Sequence, residues 1–207
     1  MALVKYNNNS ISAITDIASS MKGAMTLIKE QTASSSSTIS FVNGTSDVVL
    51  DGTYPIYLFK FINIHPASTQ PFRFQANAAG GSGYNETITS TAFRAYHNES
   101  DTATSLSYDT GNHQTQGTGF QKLHGNLTAT GNDQGGCGEL YIFSPSSTTF
   151  VKHFISTISG DLDGSFAQIQ YVAGYFNTTS AIDEIQFKVD SGNIDSGTIK
   201  LYGIKDS

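Results

Sequence analysis

The chain has 207 residues, a formal net charge of −6 and only 14% charged residues, against about 25% in ordinary soluble domains. That acidic balance, with no Lys/Arg cluster, excludes the counterion-displacing surface that a nucleic-acid partner requires. A single cysteine, Cys137, excludes an internal disulfide framework and any CxxC metal site.

The first ten residues, MALVKYNNNS, carry no long apolar segment, and no later run reaches the about 20 residues of a membrane span. Neither a secretion signal nor a membrane partner is expected. Residues 10–21 place Ile11, Ile14, Ile17 and Met21 at three- and four-residue steps behind Ser10. That spacing fits a short capped helix, although its β-branched residues suit a loose lead-in equally well. Residues 1–22 are therefore read as an N-terminal extension and candidate docking arm, and 23–207 as one β domain.

From Gly23 the apolar period changes to two. AMTLIKEQT (24–32) and TISFV (38–42), separated by SSSS, read as a hairpin. YPIYLFKFINIH (54–65) is apolar on both faces, with Ile56, Leu58 and Ile62 on one and Tyr57, Phe59 and Phe61 on the other. Such a strand is covered on both sides or meets another subunit, so Tyr57, Phe59 and Phe61 become candidate oligomer contacts. PFRFQA (71–76) and TAFRAYH (91–97) follow. Between Glu99 and Gly138 the chain is polar and rich in Gly and Asn, with LSYD and FQKLHG as short strand candidates. Strand patterns return at 139–144, 150–159, 165–177, 182–189 and 197–204, the last two reading as a closing hairpin whose Ile185, Phe187, Val189, Ile199 and Leu201 face a core. About ten strands with turn punctuation predict an all-β antiparallel sandwich, and a jelly roll is the best match among sandwiches.

Chemistry-bearing motifs are scarce. GDLDGS (160–165) lacks the closing glutamate of a calcium loop and reads as a turn. His97, His113 and His124 share the loop-rich middle, but their spacing does not demand a metal site, and no cofactor is expected. Glu99 and Asp101 lie in a polar loop with no apolar pocket around them, which argues against a glycosidase pair. The chain is read as non-enzymatic. Tyr84, Tyr96 and Tyr108, with His97, His113 and Phe120, stand among amides and carboxylates. Such mixtures stack on sugar rings and bond their hydroxyls, so these residues are candidate glycan or partner contacts; the alternative is that the rings plug the sandwich.

Three stretches carry a family resemblance: LIKEQTASSSSTISF (27–41) with YPIYLFKFINIHPAS (54–68), STTFVKHFISTIS (147–159), and TTSAIDEIQFKVDSGNIDSGTIKLYGI (178–204). Together they resemble a jelly-roll-like β domain of tailed-phage virion proteins, of the marine phage type. The resemblance implies a tail-fibre, capsid-fibre or decoration subunit, assembled in the host cytoplasm and exposed on the particle. It further implies a homo-oligomer, a trimer in the favoured case, contacting other virion proteins, with variable loops at about 78–137. It carries no catalytic residues. The competing expectation is a carbohydrate-binding module that recognises host surface glycan.

Overall fold

The computed structural model describes residues 23–131, 134–162 and 165–205. Alternating apolar and polar side chains become thirteen strands: β1 (Met25–Thr32), β2 (Ile39–Val42), β3 (Ile56–Pro66), β4 (Gln70–Ala78), β5 (Ile88–Asn98), β6 (Thr104–Tyr108) and β7 (Thr115–Gly117), then β8 (Gln121–Leu127), β9 (Gly136–Phe143), β10 (Lys152–Leu162), β11 (Phe166–Phe176), β12 (Ile182–Val189) and β13 (Ile194–Ile204). The candidate helix at 10–21 lies outside the described residues, as do Asp163 and Gly164 of the GDLDGS turn.

Two antiparallel sheets pack face to face. One runs β1-β13-β3-β9-β10-β11-β5-β6, with β7 beside β5; the other runs β2-β12-β4-β8. Eight of these strands make a jelly roll: β1-β13-β3-β9 faces β2-β12-β4-β8, and the chain changes sheet at each step among them except from β4 to β8, which pair side by side. The remaining five are insertions. β5, β6 and β7 enter between β4 and β8, β10 and β11 between β9 and β12, and all widen the same sheet. The stretch at 78–137 is thus more than loops, because it holds β5 to β7 and the core strand β8.

Both expected hairpins are corrected by this order. β1 pairs with β13 and β2 with β12, so the serine run carries the chain across the sandwich. Backbone bonds from Ala33 to Gly197 and between Ser36 and Ile194 hold that crossing. Likewise β12 and β13 lie in opposite sheets, and the turn between them crosses at Gly192, whose φ of 78° suits glycine. Alternation reports which face is buried, and a strand's partner depends on contacts far along the chain.

The expected core residues of these strands, Ile185, Phe187, Val189, Ile199 and Leu201, are all buried. Phe187 is the hub: rings from both sheets (Phe41, Phe59, Phe61, Phe72 and Phe74) have centroids 5.1 to 6.4 Å from its own. Tyr57, Phe59 and Phe61, expected to meet another subunit, instead point into this core and are buried by the chain's own second sheet. The Tyr57 hydroxyl donates to the Asp51 carbonyl at 3.0 Å and accepts from the Asp51 amide at 3.1 Å. Burial, then the Asp51 charge, pushes that phenol up to about 12. On the opposite face of β3, Leu58 is buried between Tyr202 and Tyr141 of the neighbouring strands, which is how a doubly apolar strand is accommodated.

Candidate functional site: an apolar sheet face and a polar cleft

The four-stranded sheet is too narrow to cover the whole of the wider one. Beyond β8, the inner sides of β5 and β11 are closed by a polar network. Gln121 donates to the Asn112 carbonyl (2.6 Å) and accepts from Ser90 (2.6 Å), while Asn112 donates to Gln170 (3.2 Å). Gln168 donates its amide to Nε2 of His124 at 3.2 Å, so that ring is neutral with its hydrogen on Nδ1. Burial, aided by the Arg94 charge, lowers His124 to about 4. These interior amides satisfy one another beyond the apolar core, which Ile88, Ala92, Val172 and Phe176 of the inserted strands join directly.

The outer side of the wide sheet has no protein layer over it among the described residues. Register places its side chains in rows that cross the strands: Tyr141, Ile155 and Ala173; Tyr171, Phe93 and Tyr108; and Ile169, Ala95 and Leu106. Phe93 stacks on Tyr171 at 4.7 Å yet remains 43% exposed, Ile155 is 48% exposed and Leu106 75%. A small hollow of about 110 Å³ lies between Phe93, Ile155, Tyr171 and Ala173. Charges on this side are paired within the chain, Lys60 with Glu139 at 3.9 Å and Lys200 with Glu30 at 2.9 Å. At about 4.8 Å between strands and about 6.8 Å between rows, these nine side chains make an apolar face of roughly 300 Å². Each partner in a stable interface contributes about 800 Å², so an interface centred on this patch extends over the flanking strands.

The candidate glycan residues do not form one platform. Tyr84 belongs to the outer side of the four-stranded sheet, where it packs near Phe120 (6.4 Å) under a loop pinned by Gln75 to the Glu86, Thr118 and Gly119 carbonyls. Burial raises the Tyr84 phenol. Tyr96 packs edge-on against Phe166 at 5.5 Å, with the Arg94 guanidinium 5.7 Å from its centroid. Tyr108 lies beside His113 (5.6 Å) on the apolar face. Tyr84 and Tyr108 lie on outer sheet surfaces, whereas Tyr96 stands on the inner side of β5 in register with buried Gln168. The three mid-chain histidines do not converge: His124 is interior while His97 is exposed, and no three His, Cys, Asp or Glu side chains among the described residues gather as a metal site.

His97 does reach a concavity that sequence reasoning missed. At one end of the wide sheet, a cleft of about 640 Å³ opens between the end of β3 and the β5–β6 turn, with Asn63 and His65 on one side and His97 and Glu99 on the other. Its floor includes Cys137, Ser159 and Ala167. The cleft exists because β3 bulges at Asn63, where φ is 51° and the registers with β9 and β13 both shift. Gly197 permits this bulge: at φ 119°, a Cβ there would stand 2.6 Å from the Asn63 carbonyl oxygen. The Cys137 thiol accepts from the Asn63 amide (3.2 Å) and donates to its side-chain oxygen (3.3 Å). The available signal was an asparagine, tolerant of positive φ, inside an otherwise apolar strand.

No family model matches the chain, and neither the curated proteins nor the solved structures contain a match to it.

Proposed function

We propose that the chain is a non-enzymatic structural subunit of a tailed-phage particle, exposed on it as a tail-fibre, capsid-fibre or decoration protein and self-associating through the wide sheet. The observation that carries this reading is the uncovered apolar face centred on Phe93, Ile155 and Leu106. An exposed apolar patch of a few hundred Å² is often a functional contact in a stable protein. A second copy is the occupant that fits best, because the face is nearly free of unpaired charge and presents both ridges (Phe93 on Tyr171) and a hollow beside them.

Other features support the particle role. The jelly-roll order agrees with the family resemblance, and the insertions that widen one sheet are the elements that create the contact face. Three copies is the stoichiometry the resemblance implies, with the faces turned toward a common axis. Corrected for the burial of Tyr57, Phe59 and Phe61, the oligomer contact moves from β3 to β10, β11, β5 and β6. Fold alone assigns no function, so the particle itself supplies the test. Peptide mass spectrometry and antibody labelling of purified particles should find the chain on their outer surface. Its absence from particles, with expression only as free protein, would overturn the reading.

A further inference from the structure

The cleft beside Asn63 goes beyond a structural role. Its chemistry can be read group by group. The Gln134 side-chain oxygen accepts from the Thr130 hydroxyl (2.9 Å) and the Thr130 amide (3.0 Å), leaving its NH₂ as the group to offer a ligand. Asn63 is in the same position, since its side-chain oxygen accepts from Cys137. His65 places Nε2 3.0 Å from the Gly131 carbonyl, which only accepts, so Nε2 carries a hydrogen and Nδ1 is the ring atom left to meet a ligand. His97 Nε2 is engaged by the Asp101 carboxylate at 2.9 Å, which leaves Nδ1 to meet a ligand. Glu99 adds a carboxylate, and Ser159 and Ser196 add hydroxyls.

The cleft therefore offers both donors and acceptors, and the Phe166 and Ala167 side chains give it an apolar portion. No lysine or arginine lines it, which disfavours phosphate, sulfate and sialic-acid-like ligands. The acidic residues do not gather into a metal set. A volume of about 640 Å³ falls in the range of small-molecule sites. Hydroxyls that both donate and accept, on a body with an apolar C–H face, match this lining. We propose that the cleft binds a neutral saccharide unit, a hexose or N-acetylhexosamine, beside the self-association face, whose Ile169 row continues into Ser159 and Cys137 of the cleft floor.

The test titrates the isotope-labelled full chain with glucose, galactose, N-acetylglucosamine and glucose 6-phosphate, each up to about 50 mM, following backbone amide shifts by NMR for weak binding. At least one neutral sugar should shift amides near Asn63, His97, Glu99 and Gln134, and the phosphorylated sugar should not. Asn63→Gly keeps the positive φ and removes the side-chain amide, so it should fold normally and weaken binding by about tenfold, as should Glu99→Gln. Every titration is repeated in the Phe93→Lys background. Self-association can then fail without affecting the shifts, and sugar binding can fail without affecting the mass. No shifts with any neutral sugar in either background would overturn the proposal, as would shifts confined to the Tyr84–Phe120 surface or tighter binding of glucose 6-phosphate.

Discussion

Replacing Phe187 by alanine tests the packing account most severely among single substitutions. The ring is fully buried and has neighbours from β3 in the wide sheet and from β2 and β4 in the narrow one. Truncation leaves a cavity on the order of 100 Å³, worth about 2.4 kcal/mol at about 24 cal/mol per Å³, and the lost transfer energy adds about 2 kcal/mol. The sum, about 4 kcal/mol, is a large share of the 5–15 kcal/mol typical of a folded domain. For a chain of this length it corresponds to a fall of roughly 8 to 16 °C in Tm. Guanidinium denaturation followed by near-UV circular dichroism measures it, with Phe150→Ala as the control. Phe150 is 72% exposed, so its loss should change stability by less than about 0.5 kcal/mol. A cost below about 1.5 kcal/mol for Phe187→Ala, or separate unfolding of the two sheets, would refute a core shared through this ring.

Two further outcomes follow from local geometry. Gly197→Ala forces a Cβ against the Asn63 carbonyl at a backbone angle glycine alone tolerates well, so it should cost about 2 kcal/mol or more and shift the amides around Asn63; a cost under about 0.5 kcal/mol would contradict the bulge. His124 has a folded value of about 4 against 6.5 unfolded, so between those pH values the unfolded chain binds a proton that the folded chain does not. Stability from this site is full above pH 6.5 and declines as pH falls toward 4, by about 3 kcal/mol. Urea midpoints at pH 8 and pH 4 should show that decline in the wild-type chain and not in His124→Gln; equal declines would assign the effect to other groups.

The sequence made faces legible before it made neighbours legible. Ile185, Phe187 and Val189 announce a buried side by their period of two, and each is buried. The same period cannot say that the strand carrying them pairs with β2 and β4 instead of with β13, because register depends on contacts across the whole chain. Tyr57, Phe59 and Phe61 were misassigned for a related reason: doubly apolar strands look alike whether the second face meets a partner or lies between neighbouring tyrosines, as Leu58 does. The exposed face around Phe93, Ile155 and Leu106 was hidden because its members come from three separate strands and three rows, brought together only through the order β10-β11-β5-β6. The cleft was hidden further still, since it arises from one asparagine bulge and a glycine on the adjacent strand.

Self-association through the wide sheet is the claim on which the functional reading rests, and solution mass tests it directly. Sedimentation equilibrium of the full chain from about 1 to about 100 µM, a range that detects micromolar association, should give a whole-number multiple of 22.1 kDa, three in the favoured case. Phe93→Lys, which places a charge in the centre of the face while leaving the core untouched, should return the mass to that of one folded chain. A wild-type mass of 22.1 kDa at every concentration, or an oligomer unaffected by Phe93→Lys together with Ile155→Lys, would contradict the account.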